Sequence, residues 1–226
     1  MKSIGLKILL STLLLSGSAH ATVSMAFGFG TLTTSESVAI PSGTLWAIIT
    51  QNSEGNLPGG LQFDSALSVN TDRQAILTDF AGATIAPKEL IGGGVVVATG
   101  SSVSDPLGDI DSFRQIDYAD FAGLGLNEGD QFGVYWFPGY STESNVLPVD
   151  SVFEIGGFHQ TQASTASGGN AGMQMPPDPS NVTIAYYDDG EDPAITSNLF
   201  QAVAVPEPST LLLVSAGVIL ALRRRR

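Results

Sequence analysis

Between residues 22 and 205 the apolar positions come in short runs, or alternate with polar ones, and each run is closed by Gly, Pro, Asn, Asp or Ser. Long stripes at a 3.6-residue period are absent. Short runs bounded by turn residues are the signature of strands, which put successive side chains on opposite faces and need a turn to reverse direction. The pattern predicts strands over 23–29, 44–50, 61–67, 94–98, 111–116, 131–137, 152–158, 182–187 and 199–205. It predicts short helices over 73–80 and 118–124. Asn127-Glu128-Gly129-Asp130 reads as a turn feeding a strand, and Pro138-Gly139 as that strand's end. About nine strands with turns at this spacing predict an all-β fold, an antiparallel two-sheet β-sandwich for which a jelly-roll-like topology is one arrangement. Trp46 and Trp136 sit among Leu45, Ile48, Tyr135 and Phe137, so core packing is the expectation for both rather than sugar stacking. Residues 160–180 form the clearest irregular stretch, either functional or mobile, and a mobile loop is the favoured reading.

Both ends depart from this pattern. Lys2 and Lys7 precede an apolar run over 8–15, and Ala19-His20-Ala21 fits a small-x-small cleavage site. That order reads as a signal peptide cleaved after Ala21 by signal peptidase. At the other end Val205-Pro206-Glu207-Pro208 is followed by an uncharged apolar run over 211–222 and by Arg223, Arg224, Arg225 and Arg226. Twelve residues of helix span about 18 Å, against roughly 30 Å of bilayer core. Ser209, Thr210 and the arginine stems can extend the span. The segment is apolar all round, which a half-buried helix is not. The arginines suit the cytoplasmic side of a membrane.

Taken in that order, motif, apolar helix and arginine cluster resemble the PEP-CTERM signal of Gram-negative bacteria, which a membrane transpeptidase-like enzyme, exosortase, processes. The resemblance covers about a tenth of the chain. It implies that Val205, Pro206, Glu207 and Pro208 form the sorting motif, with cleavage at or near it. It also implies a precursor anchored in the inner membrane by its C-terminal helix, then a product at the cell surface or outside the cell. The expected partition is 1–21 signal peptide, 22–204 exported β domain and 205–226 sorting tail, so that a signal helix and a membrane helix flank the sandwich. Two further segments, 43–49 with 55–60, and 129–138, resemble stretches common in exported proteins with this tail. No biochemical activity follows from that likeness.

Charge narrows the partners. Outside the two signals only Arg73, Lys88 and Arg114 are basic, against twenty-one acidic residues, a net charge of −18. Such a field repels nucleic acid and anionic membrane surfaces, so no nucleic-acid partner is expected. The chain has no cysteine, which excludes thiol catalysis, thiolate zinc sites and disulfides.

The candidate chemistry is thin. His159 is the one histidine left after signal cleavage, and a lone histidine beside a loop is expected at the surface. No Gly-x-Ser-x-Gly elbow offers a nucleophile for it. Asp109 and Asp111 could share one side of an extended segment, but nothing marks either as a catalytic acid. Residues 51–56 look like an oxygen-rich calcium loop with one carboxylate, and Asp188, Asp189, Glu191 and Asp192 surround Gly190 more densely. A hydrated acidic turn is the favoured reading of the second, with calcium as its alternative, and no other cofactor is expected. The function expected from all this is that of a non-enzymatic exported surface or extracellular-matrix protein. The alternatives are a carbohydrate-binding module acting on exopolysaccharide, in keeping with the association of such tails with matrix production, and, less favoured, a secreted hydrolase.

Overall fold

A computed structural model of the chain describes residues 22–29, 32–67, 72–102, 110–149, 151–160, 173–177, 181–186 and 202–205. The signal segment and the apolar tail over 211–222 lie outside these residues. Among those described, no helix is long and apolar enough to cross a membrane.

Among the described residues the fold is mostly β, with antiparallel sheets curled into a half-barrel and one short α-helix. Strand β1 (Thr22–Phe29) lies between β6 (Ile110–Asp117) and β9 (Asn181–Tyr186) in a three-stranded sheet. The seven-stranded sheet runs β10 (Val203–Val205), β8 (Phe153–His159), β7 (Phe132–Phe137), β2 (Leu45–Thr50), β5 (Gly94–Ser101), β4 (Leu90–Ile91), with β3 (Ser65–Ala66) also on β8. One pairing departs from the antiparallel expectation, since β1 and β9 run parallel, with Ser24 opposite Asn181. Parallel neighbours need a long connection, and here nearly the whole domain lies between them.

The large sheet is buried on both faces. Trp46 and Ile48 of β2, Val134 and Trp136 of β7, and Phe158 of β8 pack with Val23, Met25 and Ile116 of the small sheet. Leu45, Ala47, Ile49, Tyr135 and Phe137 point the other way, into a second cluster with Ile76, Leu77 and Phe80 of α1 (Arg73–Phe80). This explains why 45–49 and 132–137 read as unbroken apolar runs. Each successive side chain meets a core, whichever face it takes.

Local chemistry sets the helix and the turns. Asp72 caps α1, its carboxylate accepting from the backbone N–H of Gln74 and Ala75. Asp79 accepts from Gly59 N–H at 2.7 Å, and the Tyr135 hydroxyl donates to Pro58 O at 3.0 Å. The two together hold the turn Pro58–Gly60 against the helix. Burial, then the nearby Asp79 charge, push the Tyr135 hydroxyl well above its usual pKa, so it stays a donor. Gly59 has φ 70°, and a Cβ there would sit 3.0 Å from Phe80 Cε2.

Several expected elements differ. The strand over 61–67 shrinks to Ser65–Ala66, because Asp64 takes a left-handed conformation, φ 57°, and breaks the extended path. The helix over 118–124 is a single 3-10 turn, Tyr118–Phe121, ended by Gly123 and Gly125 at positive φ. Within 160–180, the expected mobile loop, Met173 and Met175 are fully packed, and their backbones bond Phe132 and Asp130.

Across the large sheet, Gly100, Trp46, Trp136 and Gly156 are direct neighbours in one row. The indole of Trp136 occupies the space a Cβ on Gly156 would need, and Trp46 does the same at Gly100. Gly156→Ala is therefore expected to cost at least the ~1–3 kcal/mol typical of overpacking, read as a lower midpoint in equilibrium denaturation. An unchanged midpoint would mean that the row has room to spare.

Candidate functional site

The sorting motif begins inside the folded domain. Val205, its first residue, is the last residue of β10 and is fully buried opposite Phe153. Val203 pairs with Ile155 and is buried too, while Ala204 faces outward opposite Glu154. Just before them, Ala202 N–H donates to Thr33 O at 2.9 Å, and the Trp136 indole donates to the same carbonyl at 3.0 Å. No spacer therefore separates the core from Pro206. Pro206, Glu207, Pro208, Arg223, Arg224, Arg225 and Arg226 lie outside the described residues, as do Ala19 and Ala21 of the signal site.

His159 is not at the surface. It is 0% exposed at the end of β8, covered by β3 and by the Phe63 ring at 4.9 Å. Its Nδ1 lies 2.6 Å from Phe132 O, so Nδ1 carries the hydrogen and donates. Its Nε2 is buried and meets no hydrogen-bond partner among the described residues, so no hydroxyl is poised on it there as a nucleophile would be. Burial lowers its pKa, with the Phe132 carbonyl and the Asp64 charge opposing.

The loop over 51–56 is closed on itself. Asn52 Oδ1 accepts from Glu54 N–H and Asn56 N–H, at 3.0 and 2.9 Å, and Asn52 Nδ2 donates to Gly92 O. Its oxygen-rich look comes from a side chain mimicking a backbone turn. Asp188, Asp189, Glu191 and Asp192 fall outside the described residues, as does Asp109. Among the described residues no group of three or more His, Asp or Glu is placed to hold a metal.

What the sequence reading missed is a pocket of about 230 Å³ at the seam of the two sheets. Val97, Ala98 and Thr99 of β5 form one wall, and Arg114, Gln115, Ile116 and Asp117 of β6 the other. Phe121 is buried beneath, and Lys88 and Asp120 stand at the mouth. Lys88 Nζ is 3.4 Å from Asp120 Oδ1 and 5.8 Å from the Phe121 ring centre. Both charged side chains of that pair are at least half exposed, so the pair is weak. The Lys88 backbone is left-handed, φ 74°, and its N–H is tied to Val96 O at 2.8 Å. Arg114 lies over Trp46, 5.3 Å from the ring centre, and donates to Thr99 O at 3.1 Å. The signal that could have found the pocket was scarcity, because two of the three basic residues between the sorting signals meet there.

A family model described as the PEP-CTERM protein-sorting motif matches residues 204–226. The match starts within β10, one residue ahead of the motif read from the sequence. Comparison with curated proteins and with solved structures finds no match. The chain thus carries a PEP-CTERM sorting signal, which implies export and exosortase-dependent, membrane-associated sorting in a Gram-negative bacterium. Segments 43–49 with 55–60, and 129–138, turn out to be partners. They supply β2 and β7, which pair at Trp46–Trp136, and the turn that Tyr135 holds.

The His159 environment fixes a pH dependence. Its folded pKa lies below the unfolded value of 6.5, so the unfolded chain takes a proton that the folded chain refuses. Stability from this group is complete above pH 6.5 and is lost as pH falls from there toward the folded pKa. Denaturation midpoints followed from pH 7.5 to 5.5 should therefore fall more steeply for the native chain than for His159→Gln. Parallel profiles would show that His159 titrates alike in both states.

Proposed function

We propose that this is a non-enzymatic exported protein of the cell surface or extracellular matrix, sorted and processed through its C-terminal exosortase signal. The observation that carries the reading is the sorting-motif match beginning in the strand that completes the folded domain. In this reading residues 1–21 are removed by signal peptidase, 22–204 form the exported domain, and 205–226 hold the precursor in the inner membrane until cleavage at or near Pro206, Glu207 and Pro208. The four arginines act as the cytoplasmic stop. Two features of the described residues support a domain without chemistry of its own. The buried histidine serves packing, and the Asn52 loop spends its polar atoms on its own backbone. The cluster shared by the two sheets supports a β-sandwich as the finer description of the fold.

A second reading is a carbohydrate-binding module acting on exopolysaccharide. The seam pocket favours it, since polar side chains stand there over an apolar floor. The aromatic residues that could have served a stacking platform, Trp46 and Trp136, are in the core.

Intact-mass and terminal-peptide mass spectrometry of the surface-located protein tests the first reading. The expected product starts at Thr22 and ends at or near the Pro-Glu-Pro motif. A surface-located form that still ends at Arg226 would overturn processing.

A further inference from the structure

Cations are the scarcest resource of this domain. Only Arg73, Lys88 and Arg114 offset its acidic residues, yet Lys88 and Arg114 line the same small pocket. Chance placement on a surface this acidic would leave them spread, whereas here they converge on one pocket.

Each cation is also held in place. Arg114 lies over Trp46 and is anchored to the Thr99 carbonyl, so its guanidinium loses little freedom on meeting a ligand. Gly100 makes that position available, since a Cβ there would sit 2.7 Å from Arg114 Nη2. Lys88 occupies a left-handed backbone position that disfavours any side chain, and the bond to Val96 keeps it there. Strain retained at a pocket mouth points to use. Its pairing with Asp120 is exposed, so an incoming anion can take over the ammonium at little cost.

The rest of the pocket narrows the ligand. At about 230 Å³ it is below the roughly 300–1,000 Å³ that holds a drug-sized molecule, and suits a single ring. Asp120 and Gln115 supply acceptors that hydroxyl groups can satisfy, over the apolar ring of Phe121, while Asp117 Oδ1 already accepts from Ala119 N–H. The two cations are matched by two carboxylates, which disfavours doubly charged phosphate more than a group with a single negative charge. One carboxylate on a ring bearing hydroxyls is a sugar acid.

We propose that the seam pocket binds a uronic-acid unit of an acidic polysaccharide, its carboxylate between Lys88 and Arg114 and its ring on Phe121. The proposal rests on the carbohydrate-binding reading and deepens it. The long-range field of the domain opposes a polyanion, but charges beyond about 8 Å are largely screened at physiological salt. Recognition is therefore local to the pocket.

The test is isothermal titration of the full chain in detergent with four probes, namely a glucuronic-acid oligomer, the matching neutral glucose oligomer, acetate and inorganic phosphate. The uronic-acid oligomer should bind at least about tenfold more tightly than the neutral one, the loss of a charge-assisted contact being worth that much. Acetate and phosphate should bind more weakly still. Lys88→Gly should reduce uronate binding about tenfold or more without lowering the thermal midpoint, because glycine relieves the left-handed backbone. Arg114→Lys, which keeps the charge and loses the planar fork, should weaken binding as well. Equal binding of the neutral oligomer would overturn the acidic specificity and leave the carbohydrate reading standing. Binding of neither oligomer would overturn both. Phosphate bound as tightly as uronate would make this a general anion site, and uronate binding unchanged in Lys88→Gly would place it elsewhere.

Discussion

Two tryptophans side by side in the middle of a sheet leave no room for ordinary neighbours, and the rest of the structure follows from that constraint. Trp46 and Trp136 face each other across β2 and β7, and a glycine flanks the pair on each side. The glycines cost strand stability, since they contribute no side chain and more backbone freedom. What they permit is close packing of two of the largest side chains on one face. The small sheet covers that face, the Trp136 indole reaches Thr33, and Arg114 is drawn onto Trp46 from β6. The same row thus joins the sheets and shapes the wall of the seam pocket.

The opposite face shows how little a small domain can leave uncovered without disulfides. Tyr135 and Phe137, the neighbours of Trp136, would otherwise face water. Helix α1 and the turn Pro58–Gly60 cover them, tied down by Asp79 and the Tyr135 hydroxyl. A domain lacking cysteine must take its stability from such burial, and here the central sheet is used twice.

Much of this was legible in the sequence, for identifiable reasons. Strands β1, β2, β6, β7 and β8 fall within a residue or two of expectation because their runs are long and end in turn residues. Helix α1 lies where a short helix was expected, over 73–80, and the Asp72 cap that starts it is seen only in the structure. The parallel pairing of β1 with β9 was not, because register between distant segments leaves no local trace. The burial of His159 was hidden as well, since it depends on β3, two residues long, and on Phe63 folding over it. The convergence of Lys88 and Arg114 on one pocket is likewise a product of the sheets' packing. Sequence spacing places them 26 positions apart and says nothing of contact.

The tail was the plainest feature of the sequence, and the structure adds where it is attached. The family match to the sorting motif starts on β10, so its first residues, Ala204 and Val205, belong to a strand of the large sheet. Val203 and Val205 fill positions beside Ile155 and Phe153, and each buried valine is worth roughly 1.5–3 kcal/mol. The most direct measurement compares thermal unfolding of the chain ended after Val205 with the chain ended after Gln201. If β10 closes the domain, loss of four residues should lower stability by on the order of 3 kcal/mol or more, a fall of several degrees. Equal midpoints would contradict it and would make residues 202–205 part of a linker rather than of the fold.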